Sequence, residues 1–184
     1  MLNRDIYNKA PKENRLVNNG VAEVSEDHSA AAQDILRYEL ETFVCDGQYE
    51  KGLETILDKF LVNLDAGTEQ PGVWISGFYG SGKSHLAKML RTLWTDYQFT
   101  DGATARSLAK LPNGVFEHLK ELSTQGKRHG TLHAAAGKLG AGAGDKVRLA
   151  LLGIVFKSKS LPEQYNQAQL VLWMTREGLL PTVE

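Results

Sequence analysis

Residues 77–84 read Gly-Phe-Tyr-Gly-Ser-Gly-Lys-Ser, a complete G-x-x-x-x-G-K-[ST] segment. Its chemistry is the binding of phosphate. Glycines let the backbone curl so that successive N–H groups converge on phosphate oxygens. A lysine at position 83 reaches the β- and γ-phosphates, and the hydroxyl of Ser84 is placed to ligate Mg²⁺. The residues expected to line a bound nucleotide are Gly77, Phe78, Tyr79, Gly80, Ser81, Gly82, Lys83, Ser84 and His85, with Lys83 as the charge-neutralising, catalytic cation. Phe78 and Tyr79, at variable positions of the motif, are expected to pack against neighbouring loops. His85 follows at a helix N-terminus, where the helix dipole disfavours a protonated ring.

Such a loop needs a strand before it and a helix after it. Gly72-Val73-Trp74-Ile75-Ser76 is a short apolar run bounded by Pro71 and Gly77, which reads as a buried strand. From His85 to Thr95, residues Leu86, Met89, Leu90, Leu93 and Trp94 recur on one helical face. The order strand, glycine loop, helix predicts an α/β fold, a P-loop NTPase core fragment of AAA-like type, carrying an N-terminal helical subdomain. The expected division is 1–70 for the arm and helical subdomain and 71–184 for a partial P-loop domain.

Within the first part, residues 1–24 read as a polar arm with a turn at Asn18-Asn19-Gly20. Ser25 is a candidate cap for a helix running to Val44, ended by Asp46-Gly47. A second helix spans about Tyr49 to Leu64, with Leu53, Ile56, Leu57, Phe60, Leu61 and Leu64 on one stripe. Beyond the loop, 104–111 and 115–122 show helical spacing on either side of Pro112-Asn113-Gly114. Residues 129–136 are a candidate strand, and 137–145, with four glycines, a connector. Residues 146–156 are apolar on most faces and so are expected to lie buried against the strand layer. A last helix opens at Leu161-Pro162-Glu163 and runs through Arg176.

Phosphoryl transfer also asks for a Walker B element, an apolar strand ending in an acid. Leu151 to Phe156 has the hydrophobicity, but Lys157-Ser158 follows; Phe43-Val44-Cys45-Asp46 has the acid, but precedes the loop. No residue therefore stands out as the catalytic carboxylate. Arg91, Arg106, Arg128, Arg148 and Arg176 read as solvated charges, with none singled out as a transition-state finger. Cys45, the one cysteine, reads as a packing residue beside Phe43 and Val44. His129 and His133 lack a third metal ligand, and Gly130 between them argues against a shared helical face. The guanine-reading Asn-Lys-x-Asp is absent, so ATP is the expected nucleotide. A small-metabolite kinase, which shares the loop, would need an arginine-rich lid that 137–145 does not offer.

The chain has 184 residues, 42% apolar and 23% charged, with a formal net charge of −1. That balance suits a globular protein without an overall basic field for nucleic acid. The apolar stretches are too short to cross a bilayer, and residues 1–5 lack a signal-peptide core, so a cytoplasmic location is expected.

Pro71 to Leu93, with Arg4-Asp5-Ile6, Asn19 to Val24 and Tyr38 to Gly47, resembles the large P-loop ATPases of bacteriophage-exclusion (BREX) defence, the BrxC/PglY family. The resemblance covers most of residues 1–95 and is most specific around the loop. It implies ATP and Mg²⁺ at Gly77 to Ser84, in an ATP-binding N-terminal segment of a long cytoplasmic ATPase. Such a protein acts with a DNA methyltransferase and other BREX proteins in host DNA methylation and phage exclusion. It implies homo-oligomers in the full-length protein, DNA contact through the complex, and no membrane. It also implies that the missing acid, sensors and arginine finger lie beyond Glu184, leaving this chain weak or inactive alone. The competing expectation is an interaction module of the defence complex with an incomplete nucleotide site, docking through the helices of 25–65.

Overall fold

A computed structural model describes residues 29–66, 72–139 and 146–179. The arm at 1–24, the Ser25 cap, Pro71, and the glycines at 140, 142 and 144 lie outside those residues. Among the described residues there are seven helices: α1 (Ala30–Glu41), α2 (Gly47–Ala66), α3 (Lys83–Trp94), α4 (Ala105–Leu108), α5 (Asn113–His129), α6 (Val147–Lys157) and α7 (Tyr165–Arg176).

The expected α/β P-loop NTPase core is overturned. The described residues are helical with no sheet, and their one β-type pairing is an isolated antiparallel bridge between Gln98 and Thr104. A P-loop NTPase core requires a central sheet. Residues 72–78 are non-helical but carry no ladder, and Val73, Trp74 and Ile75 are exposed instead of buried. An apolar run becomes a strand only when a neighbouring strand takes its N–H and C=O groups, and none does so here. The second expected strand fails for a different reason. His129 closes α5, which continues past Leu122 because Gln125 and Gly126 are buried on its inner face, and 131–139 is irregular. Leu132 then folds back on Gly126, where a Cβ would stand 2.7 Å from its Cγ.

The helices lie where periodicity places them, but their bounds differ: α1 stops at Glu41, short of Val44, and α7 starts at Tyr165, after the expected opening at Leu161. Ser29 caps α1, its Oγ accepting from the Ala32 N–H at 3.3 Å. Thr104 and Ser107 form a reciprocal capping box around the single turn of α4. Pro112 precedes α5, where its missing N–H costs nothing.

One apolar cluster joins these elements. Leu40 of α1, Leu53 and Leu57 of α2, Met89 and Leu93 of α3, and Val115, Leu119 and Leu122 of α5 are almost wholly buried. The cluster runs from residue 40 to residue 122, across the 70/71 division. Helices α2 and α5 make the most extensive contact. At its end Gly114 lies so close to α2 that a Cβ there would stand 2.0 Å from Glu54 Oε1. The carboxylate thereby meets the N-terminus of α5, whose exposed N–H groups favour negative charge. An ion pair, Lys88 Nζ to Glu39 Oε2 at 2.5 Å, ties α3 to α1.

Helices α6 and α7 stand apart from this core and pack chiefly on each other. On α6 only Gly153 is buried, and on α7 only Ala168. The expected burial of 146–156 against a strand layer is thus corrected. With no sheet to cover them, Val147, Leu149, Leu151, Leu152 and Val155 remain exposed.

Candidate phosphate-binding site

Two of the motif glycines use the conformational freedom that glycine alone has. Gly80 and Gly82 take φ of 77° and 80°, in the left-handed region that side chains with a Cβ resist. At Gly77 a Cβ would lie 2.7 Å from Ser81 Oγ, so the start of the loop crowds its own middle. A turn closes between them, the Ser81 N–H donating to the Phe78 carbonyl at 3.2 Å. Gly82 then opens α3, its carbonyl accepting from the Leu86 N–H at 2.8 Å, with no side-chain cap on the helix. The first-turn N–H groups of Lys83, Ser84 and His85 are therefore not claimed by a capping side chain, an arrangement suited to an anion.

Lys83 turns back over the loop. Its Nζ donates to the carbonyls of Gly77 at 2.9 Å and Phe78 at 2.7 Å, and approaches Ser81 Oγ at 3.4 Å. All three partners belong to the loop, so the ammonium clasps its first residues to its last. Neutral carbonyls are weaker partners for an ammonium than phosphate oxygens, which bring opposite charge. The groups here that could meet a polyphosphate are the uncapped N–H groups of the first turn of α3, the Lys83 ammonium and, for a hydrated Mg²⁺, the exposed Ser84. When bound, Mg²⁺ would add charge neutralisation across the phosphates; holding and orienting them falls to this chain's N–H groups and Lys83.

Two further residues, not singled out in sequence, support the loop. Tyr49 of α2 donates from its hydroxyl to the Ser81 carbonyl at 2.7 Å. Phe43 meets the Tyr49 ring edge-on at 6.4 Å and the His85 ring at 5.7 Å. Half-buried by these neighbours, His85 has its pKa lowered from 6.5; desolvation is the main cause, Lys88 adds to it, and Glu39 opposes it. The ring is accordingly neutral at pH 7, which suits its place at a helix N-terminus. In sequence Tyr49 is only the start of the second helix and Phe43 a neighbour of Cys45; nothing local marks them as loop supports.

Phe78 and Tyr79 do not pack against other loops, contrary to expectation: they are 91% and 95% exposed, with Trp74 nearby in sequence at 91%. The arginines divide. Arg106 is a structural fork, its guanidinium donating to the carbonyls of Leu93, Trp94 and Leu119 and to Ser123 Oγ at 2.6–3.0 Å. Burial lowers its pKa while Asp96 opposes that shift. Arg128 and Arg148 are exposed, and Arg176 pairs with Glu177 at 3.3 Å. Among the described residues, none of these four is bonded to the loop.

Of the remaining candidates, Cys45 is buried, and its thiol is pushed up to about 11 by desolvation and then by Glu50, Asp46 and Glu54, so it is a poor nucleophile. His133 donates from Nε2 to Ser158 Oγ at 3.0 Å, since that hydroxyl spends its own proton on the Val155 carbonyl. Among the described residues no group of three His, Cys, Asp or Glu side chains is placed to hold a metal ion, and no helix is long and apolar enough to cross a membrane.

No protein-family model matches this chain, and no solved structure matches it.

Proposed function

We propose that Gly77 to Ser84 binds the polyphosphate of ATP with Mg²⁺. The observation that carries this is the pair of left-handed glycines feeding an uncapped helix N-terminus, with the lysine of the motif folded onto the loop. The proposal concerns the loop and not the surrounding architecture, since the described residues contain no sheet. In line with the resemblance across residues 1–95, the wider reading is an ATP-binding part of a BREX defence ATPase acting with a methyltransferase and partner proteins.

The chain should bind Mg-ATP at micromolar concentration in calorimetry. Lys83→Ala should weaken that binding at least about thirtyfold, through loss of a charge-assisted contact worth roughly 2–3 kcal/mol. Turnover should be slow, because among the described residues no apolar strand ending in an acid stands beside the loop. Affinity unchanged by Lys83→Ala would reject the phosphate reading.

A second reading, protein docking, draws on the exposed aromatics Trp74, Phe78 and Tyr79. The apolar stripes of α1 and α2 are occupied by the core, so docking would use this flank of the loop and not those helices. Partner binding indifferent to nucleotide, and lost in a Trp74→Ala, Phe78→Ala double variant, would favour it.

A further inference from the structure

The hydroxyl of Tyr49 reaches across from α2 to a single carbonyl of the glycine loop, that of Ser81, at 2.7 Å. A peptide group is planar and trans, so its C=O and the following N–H point in opposite directions. Fixing the Ser81 carbonyl on Tyr49 therefore directs the Gly82 N–H away from Tyr49. That N–H belongs to the last glycine before α3, at the mouth of the helix.

The same tyrosine explains the stringency at position 82. A Cβ on Gly82 would stand 2.3 Å from the Tyr49 hydroxyl oxygen and 3.5 Å from its ring carbon Cζ. The hydroxyl, more than the ring, excludes a side chain there. Tyr49 is in turn held by the edge contact with Phe43, which also braces His85 in the first turn of α3. Loop and helix start are thus gripped from one side by a tyrosine–phenylalanine pair.

We propose that Tyr49 is a positioning residue for phosphate, setting the peptide plane between Ser81 and Gly82 so that its N–H is presented to the anion. This rests on the phosphate reading of the loop. Tyr49 touches the loop and not the ligand, so its effect belongs to the phosphates and is blind to the base.

The test uses the whole chain with Mg-ATP and, separately, inorganic tripolyphosphate as probes. Tyr49→Phe removes one oxygen and keeps the ring contact. It should weaken both probes by the same factor, about three- to tenfold, the worth of one hydrogen bond. In glycine-selective ¹⁵N spectra without any ligand, the Gly82 amide should move in Tyr49→Phe while distant glycines such as Gly153 stay put. Gly82→Ala should weaken binding in the unmodified chain, and by a smaller factor in the Tyr49→Phe background, where the close oxygen is gone.

If the unmodified chain binds neither probe, the phosphate reading falls and the positioning role falls with it. If the unmodified chain binds, Lys83→Ala does not, and Tyr49→Phe binds as well as the unmodified chain, the positioning role alone is overturned. Equal Gly82→Ala penalties in both backgrounds would overturn it too.

Discussion

His85 shows how much one residue's setting can change its chemistry. It follows the motif serine, faces Phe43, and has its pKa lowered from 6.5 by burial, with Lys88 adding and Glu39 opposing. A depressed histidine pKa means that the unfolded chain takes up the proton first as pH falls. The stability it contributes is complete above pH 6.5 and declines as pH drops below that value towards the folded-state pKa. Urea midpoints measured from pH 8 to pH 5 should therefore fall on the acid side. His85→Gln should flatten that limb, at a cost of about 1 kcal/mol at pH 8 from the lost ring contact. An unaltered acid limb in the variant would assign the proton uptake to another group. At this scale the sequence was a fair guide to the packing of Cys45, which is buried as its residue type suggests, but the folding of Lys83 onto the loop carbonyls was not legible in it. It was a poor guide for Phe78 and Tyr79, whose surroundings depend on chain far away in sequence.

Arg106 belongs to the scale of elements, because what it does is join three of them. Its own helix, α4, is one turn long, yet its guanidinium takes the carbonyls of Leu93 and Trp94 at the end of α3 and that of Leu119 within α5. Helix ends leave carbonyls without partners, and here a planar fork supplies them. Arg106→Ala would take from the Trp94 carbonyl the donor it has here, while Leu93 keeps the Asp96 N–H and Leu119 the Ser123 hydroxyl, at a cost of about 2 kcal/mol. Arg106→Lys should recover only a minor share, since an ammonium cannot spread its donors over such a fan of acceptors. Chemical denaturation of both variants checks this; equal stability of the lysine variant and the parent would show that charge alone suffices. Sequence spacing reads Arg106 as one more surface charge, because its acceptors come from residues 12 to 17 positions away. The helices themselves were legible from apolar periodicity, which reports a face to be buried. The sheet was misread because a short run such as Val73-Trp74-Ile75 reports only hydrophobicity, and strand pairing is decided by a partner that the run does not name.

For the molecule as a whole, the decisive asymmetry is between a closed core built from α1 to α5 and an open pair, α6 and α7. The first group buries its large side chains in one cluster, whereas the second leaves Leu149, Leu151, Leu170 and Trp173 about half exposed. Large apolar side chains left exposed in this number favour contact with other apolar groups. It adds little to the core's stability, because the two helices pack chiefly on each other. A chain ending at residue 139 keeps Leu132 against Gly126 and loses the Ile154 contact with Gly137 and the hydrogen bond from His133 to Ser158. It should still unfold in one cooperative transition, with Tm within about 5 °C of the parent, a shift of roughly 1 kcal/mol. Binding of an apolar fluorescent dye should fall severalfold in the same variant, and tryptophan emission should lose the component from Trp173. If truncation instead abolished the cooperative melt, α6 and α7 would be structural partners of the core, and their exposed leucines could not be assigned to surface that the core does without.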